Sequence, residues 1–234
     1  MIDLPEPDLT FAGDADLSFE AATPEAGQWT KDNASRGTIA ANLGVPVATW
    51  ATRTRSVRMQ AKDARRLERA VEALERLPDS GEYVHIVTGA EFRGFDLLPA
   101  MLRLAAKAKR FDSLTLTTLG FSRDNLAELA RMIQAGQIPP ARLQVLCSDF
   151  FRRADREIWQ TGAEQARRLG YGFRSTRNHT KLILAAIARR CYAVESSANL
   201  RSCANLEQFT MTQSRTLFDF HSQWIAEVWP IAEP

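Results

Sequence analysis

The chain has 234 residues, of which 45% are hydrophobic and 25% are charged, as in a globular protein with one sizeable core. Its longest wholly apolar run, residues 182–188, is far shorter than the roughly 20 residues of a membrane-spanning helix, and its start lacks a secretory signal pattern. Three cysteines without a close pair favour a reducing compartment, and with only three histidines they disfavour a zinc site. We therefore expect a cytoplasmic protein.

The net charge of +2 conceals two regions of opposite sign. Residues 1–32 carry eight acidic side chains and one basic side chain, which leaves 29 basic and 20 acidic groups, an excess of +9, for the remainder. Only five of the 30 basic residues are lysine, and guanidinium groups bind phosphate bidentately. The basic remainder favours nucleic acid as a partner, although the default interpretation of any single arginine is a solvated helix face.

The predicted elements begin after an acidic, proline-containing stretch. Residues 1–60 show no sustained hydrophobic period and are predicted to be a flexible segment. A first helix is predicted over 61–77, where Pro78 and Gly81 end it. From residue 82 onward, strands alternate with helices, which predicts an α/β domain over 61–234. The predicted strands are 83–88, 114–119 and 142–147; the helices are 96–109 with Asp96 as N-cap, one that starts after Ser122, and 154–169 stopped by Gly170.

The last third of the chain predicts a hairpin, a strand and a helix. Two segments joined by a short polar turn at 188–190 are typical of neighbouring antiparallel strands. A strand over 207–212 follows, and Ser214 is the expected N-cap of an aromatic-rich helix that ends near residue 229. The sequence has no apparent internal repeat.

Polar residues stand at both open ends of this hairpin. His179 and Lys181 are two residues apart, so in an extended segment they share one face, and Ser197 and Asn199 do the same on the returning strand. One face would then hold an imidazole, an ammonium, a hydroxyl and a carboxamide. Such a set is suited to handling a phosphate group.

These four residues resemble the signature of the phospholipase D superfamily: His-x-Lys, four intervening residues, Asp, and later Gly-Ser-x-Asn. Ser196 stands at the family's glycine position and Ala186 at its aspartate position. The segment from Arg201 to Glu207 is similar to the region in which members place an acidic residue against the catalytic histidine. The resemblance extends from residue 82 to the C-terminus and implies a phospholipase D-like mixed β-sheet flanked by helices, with one motif copy per chain.

The resemblance also implies a reaction that needs neither a metal nor another cofactor. His179 would attack phosphorus to give a covalent phosphohistidine, which water then hydrolyses. Lys181 and Asn199 would hold the non-bridging oxygens. Ser197 would position the phosphate or Asn199, and Glu207 would orient the imidazole.

The leaving oxygen needs a proton donor, usually a second histidine. His85 and His221 are the other histidines of the chain, and we interpret each as structural. Single-motif members of the superfamily are expected to pair, so that a second His179 completes the site, and a homodimer is predicted. The alanine at position 186 leaves open a catalytically weakened protein that binds nucleic acid or acts as a scaffold.

Further candidates for substrate binding follow the predicted strands. Glu91 and Arg93 come after the first strand and Arg152 after the third, where open α/β sheets often place ligand loops; Arg177 and Arg201 flank the motif. The sequence thus predicts a metal-independent phosphodiesterase acting on DNA or RNA. The alternatives are the binding or scaffold protein and a phospholipid phosphodiesterase, which the lack of an interfacial helix disfavours.

Overall fold

The computed structural model describes residues 62–89, 91–105, 107–201 and 205–233, so the predicted flexible segment over 1–60 lies outside the described residues. Among the described residues, no helix is long and apolar enough to cross a lipid bilayer. The helices are α1 (Lys62–Leu74), α2 (Leu97–Leu104), α3 (Arg123–Gln134), α4 (Asp149–Ala154), α5 (Arg156–Leu169) and α6 (Arg215–Val228). The strands are β1 (Tyr83–Thr88), β2 (Ser113–Thr117), β3 (Leu143–Ser148), β4 (Gly172–Thr176), β5 (Leu182–Ile187), β6 (Arg190–Ser196) and β7 (Glu207–Gln213).

The seven strands form one mixed sheet in the order β1-β7-β6-β5-β2-β3-β4. Strands β2, β3 and β4 are parallel, whereas every other neighbouring pair is antiparallel. The prediction of an α/β domain with a mixed sheet flanked by helices is therefore confirmed.

The core is divided between the two faces of the sheet, because successive strand residues point to opposite sides. Ile183 and Ala185 of β5 belong to the larger core, which also contains Phe95 and Met101 from the α2 region. Leu184, the residue between them, packs with Ala193 and with Ile225 of α6 on the opposite face. Helix α6 therefore lies over β5 and β6, the two strands that lead to the predicted motif residues.

The predicted antiparallel hairpin is confirmed as β5 and β6. Its two turn residues, Ala188 and Arg189, have φ values of 50° and 65°, the left-handed pair that suits the twist of a two-residue hairpin turn. The Arg189 amide donates to the Asp112 carboxylate at 3.0 Å, which ties the turn to the start of β2. Arg190, which was predicted to be in the turn, is the first residue of β6.

Three helix ends were predicted correctly: the start of α3 after Ser122, the N-cap of α6 at Ser214 and the end of α5 at Gly170. The Ser122 hydroxyl accepts from the Asn125 amide at 3.2 Å, and the Ser214 hydroxyl accepts from the Leu217 amide at 3.2 Å. Gly170 ends α5 with φ 80°, a conformation that glycine adopts without the clash a Cβ would cause.

Other element predictions were confirmed only in part. Asp96 is the N-cap residue of α2, as predicted, but its side chain makes no capping hydrogen bond. Its carboxylate accepts from the Arg93 amide at 2.7 Å instead. The helix ends at Leu104, not at residue 109. The helix predicted over 154–169 is confirmed as α5, which begins at Arg156. The short helix α4 before it was not predicted; the two are separated at Asp155, whose ψ of 47° departs from helical geometry. Strand β4 was missed, because its polar sequence GFRST carries little strand signal.

Candidate active site

The predicted motif lies at one end of the sheet. His179, Thr180 and Lys181 immediately precede β5. Leu182, the first residue of β5, pairs with Thr117 at the carboxyl end of β2 and with Glu195 near the carboxyl end of β6. Carboxyl ends of strands are where open α/β sheets commonly bind ligands.

A buried asparagine directly before the motif fixes the approach to β5. The Asn178 carboxamide donates to the carbonyl oxygens of Thr118 and Leu146 at 3.4 and 3.2 Å. Its oxygen accepts from the Thr180 amide at 2.9 Å, which closes a local turn around His179. Asn178 was not predicted to have this role, although an asparagine directly before the motif is a turn signal.

His179 and Lys181 are in direct contact. The Lys181 Nζ lies 3.1 Å from His179 Nδ1 and donates to the His179 carbonyl oxygen at 2.7 Å. His179 is exposed, whereas Lys181 is partly buried. This burial lowers the pKa of Lys181 below its ordinary value of 10.5, and the negative charge of nearby Glu207 opposes the shift.

His179 and Lys181 open into a pocket of about 550 Å³. The motif contributes Ser197 to the same pocket, and β6 and α6 contribute Glu195, His221 and Trp224. The pocket thus holds a potential nucleophile, a cation, a hydroxyl and a carboxylate, which are groups suited to nucleophilic attack and proton transfer.

Glu207 contacts Ser197, not the imidazole. The Ser197 hydroxyl donates to a Glu207 carboxylate oxygen and accepts from the Gln208 amide at 3.0 Å. Within the described residues, the ring hydrogen bond of His179 is to Lys181, so the arrangement differs from the predicted one in which Glu207 orients His179. Glu207 instead fixes the Ser197 hydroxyl and bears electrostatically on Lys181.

Asn199 lies beside this pocket, in a narrow cleft that it shares with Arg93, Arg201 and Glu207. Its side-chain oxygen accepts from the Leu119 amide at 3.2 Å, just beyond the carboxyl end of β2. The structure therefore brings His179, Lys181 and Ser197 into one pocket and gives Asn199 a structural hydrogen bond in the adjoining cleft.

Four of the five residues predicted to bind substrate are engaged in ion pairs. Arg93 pairs with Asp96 at 3.2 Å, Arg201 with Asp155 at 3.1 Å, Glu91 with Arg69 at 3.9 Å, and Arg152 with Glu233. Burial raises the pKa of Glu91, and the positive charge of Arg69 opposes that shift. Arg177 is exposed at a bend before the motif and has no ion pair with another described residue.

The alanine at the family's aspartate position lies far from the imidazole. Ala186 is next to the last residue of β5 and pairs with Ser113 and Cys191. It is four residues beyond Leu182, or roughly 13 Å along the strand. A side chain at this position does not belong to the group around His179.

Two side chains on α6 and one on β6 were not predicted for the site. His221 Nε2 lies 3.0 Å from a Glu195 carboxylate oxygen, and the Trp224 indole N–H donates to His221 Nδ1 at 3.0 Å. His221 and Trp224 are three residues apart on one helix face, and Glu195 is two residues before Ser197, close to the end of β6. Both spacings can be read from the sequence. That α6 packs beside the motif could not be predicted from it.

No protein-family model and no curated protein matches this sequence. Among solved structures, the chain is similar to Nuc, a phospholipase D family member from Salmonella typhimurium, with 17% identity and a TM-score of 0.47 over 65% of this chain and 97% of that one. It is also similar to TrmBL2, an archaeal chromatin protein described as showing a novel mode of DNA binding, with 13% identity and a TM-score of 0.41 over 64% of this chain and 53% of that one.

Proposed function

We propose that this protein is a metal-independent phosphodiesterase that cleaves nucleic acid through a phosphohistidine intermediate at His179. The observation that carries the proposal is the contact between the exposed imidazole of His179 and the Lys181 ammonium at the wall of an open pocket. An imidazole is a competent nucleophile near neutral pH, and an adjacent ammonium stabilises the charge that develops on phosphate oxygens.

Lys181 has two successive roles in this reaction. An ammonium can only donate hydrogen bonds, so the contact with Nδ1 keeps the proton of a neutral His179 on Nε2. A phosphate that enters the pocket attracts the ammonium away from Nδ1. The ring proton can then move from Nε2 to Nδ1. Nε2 then presents its lone pair to phosphorus, the P–N bond forms, and the bond to the leaving oxygen breaks.

The leaving oxygen requires a proton as that bond breaks. We propose that His179 of a second copy of this chain supplies it, in a homodimer with a two-fold axis through the site. The excess of +9 outside residues 1–32 supports nucleic acid as the substrate class, since phosphate contacts dominate such binding.

The test is cleavage of supercoiled plasmid and of labelled DNA and RNA oligonucleotides in EDTA. The His179→Ala variant is expected to lose cleavage by about a thousandfold or more, because a nucleophile cannot be replaced by its neighbours. His85→Ala is the matched control, since His85 is an exposed histidine on β1 whose ring contacts Thr210 at 3.1 Å; its activity should equal that of the unmodified protein.

Retained cleavage in the His179→Ala variant would contradict the proposal. Salt-dependent binding by the unmodified protein without cleavage would favour the binding or scaffold alternative, and turnover of a phosphatidyl lipid would favour the phospholipid alternative. Sedimentation of the protein tests the dimer separately. A fully active monomer would exclude a second copy of the chain as the proton donor, but it would not contradict His179 as the nucleophile.

A further inference from the structure

We propose that Glu195 accepts the proton of the water that hydrolyses the phosphohistidine, and that His221 and Trp224 are positioning residues for its carboxylate. The inference rests on the proposed function and adds an acid-base residue from the same chain. Glu195 lines the pocket that also contains His179 and Lys181, and its side chain is 50% exposed, so a water molecule can reach it.

The hydrogen bonds behind Glu195 have a fixed direction. An indole N–H is a donor only, so Trp224 makes His221 Nδ1 an acceptor. A neutral His221 therefore carries its proton on Nε2, which donates to the Glu195 carboxylate at 3.0 Å. Both ring nitrogens of the buried imidazole are occupied, so His221 holds the carboxylate and leaves proton transfer with the substrate to Glu195.

Glu195 is held at the required end of the sheet by the strand register. It lies opposite Leu182, the first residue of β5. It is also two residues before Ser197, which follows the end of β6 and lines the same pocket. A hydrogen-bonded carboxylate at the wall of this pocket is suited to activate water there.

The hydrolysis step balances with these groups. The water oxygen bonds to phosphorus, the P–N bond breaks, and the electron pair of that bond returns to His179 Nε2. The phosphorylated ring keeps its proton on Nδ1, so His179 leaves as a neutral imidazole. The water proton passes to the Glu195 carboxylate and from there to solvent.

The Glu195→Gln variant separates the two half-reactions. The amide oxygen can still accept from His221, but the base is lost. We expect the first turnover to release its leaving group at close to the normal rate, while steady-state turnover falls by about 10²- to 10⁴-fold and a phosphohistidine accumulates. The intermediate is measured as an acid-labile, alkali-stable label on the protein, and Glu227→Gln on the exposed side of α6 is the matched control.

Two further variants keep the inference testable should Glu195→Gln fold poorly. Glu195→Ala should recover turnover when formate is added, because a small carboxylate can replace the missing base. Trp224→Phe keeps an aromatic ring but lacks the N–H, so the His221 tautomer, measured by ¹⁵N NMR, should become mixed and steady-state turnover should fall by about tenfold or less.

The outcomes distinguish this inference from the proposed function. If the unmodified protein does not cleave, or cleaves without His179, the proposed function fails. If cleavage depends on His179 but Glu195→Gln turns over normally, the role of Glu195 is overturned. Equal slowing of both half-reactions, with no accumulated intermediate and no recovery with formate, would also overturn it.

Discussion

The protein holds two groups of charged side chains in opposite surroundings. In the buried ion-pair group, Arg66 and Arg93 both pair with Asp96 at 3.2 Å, and the three side chains are between 9% and 11% exposed. In the open pocket, His179 and Lys181 contact each other and face a large cavity. The two arginines are already engaged by a carboxylate, whereas the Lys181 ammonium contacts an imidazole and a carbonyl oxygen at an open surface.

The buried ion-pair group has the character of a structural element. Burial lowers the pKa of Arg66, and the Asp96 charge opposes the shift. Arg93 further donates to Asp96 through its backbone amide and its side chain. A buried charge without a partner is strongly unfavourable, so these residues are expected to act on stability.

The largest effect on stability should come from breaking this group with Arg93→Ala. Asp96 would then keep Arg66 as its remaining partner, and the free energy of unfolding should fall by about 3 kcal/mol, at the lower end of the range for a broken buried pair. Urea denaturation measures the loss. The matched control is Arg103→Ala, because its ion pair with Glu68 is half-exposed and should contribute at most about 1 kcal/mol.

A stable Arg93→Ala protein with weakened nucleic-acid binding would reverse the interpretation. It would show that Arg93 meets the ligand from the adjoining cleft, as the sequence predicted, despite its ion pair with Asp96.

The next effect should come from Lys181 in the open pocket. Lys181→Ala is expected to lower kcat/KM by about 10²- to 10³-fold, as the loss of a group that stabilises transition-state charge does elsewhere. Lys181→Arg keeps the positive charge and should lose less, although a guanidinium differs from an ammonium in shape and hydration.

The pH dependence of kcat/KM sharpens this test. The pKa of Lys181 lies below its ordinary value of 10.5, so Lys181 loses its positive charge at a lower pH than an ordinary lysine does. We therefore expect kcat/KM to decline as the pH rises through this lowered pKa. In the Lys181→Arg variant this decline should move to higher pH or disappear, because arginine stays protonated. An unchanged alkaline decline would assign it to another group.

Local patterns predicted those parts of the fold that local chemistry determines. The helix caps at Ser122 and Ser214 need only a hydroxyl and an amide three residues away. The contact between His179 and Lys181 joins two side chains that are only two residues apart in the sequence. These predictions required no knowledge of how distant elements pack.

Partner choice across the fold could not be predicted in the same way. Glu207 accepts a hydrogen bond from Ser197 and acts electrostatically on Lys181. Which of these residues Glu207 contacts depends on how β7 packs beside β6. The chain of hydrogen bonds from Trp224 to Glu195 exists because α6 docks over β5 and β6. The ion pairs of Arg93, Arg152 and Arg201 likewise depend on carboxylates that tertiary structure brings to them.

The smallest effect should separate two arginines that flank the motif. Arg177 is exposed and has no ion pair with another described residue, whereas Arg201 pairs with Asp155 at 3.1 Å. In a His179→Ala background that prevents cleavage, Arg177→Ala should reduce the slope of log affinity against log salt by about one, because one phosphate contact is lost. Arg201→Ala should change the slope less, since Asp155 already neutralises that guanidinium. Fluorescence anisotropy of a labelled oligonucleotide between low and moderate salt measures both slopes. Equal reductions in the two variants would show that Arg201 contacts nucleic acid despite its ion pair with Asp155.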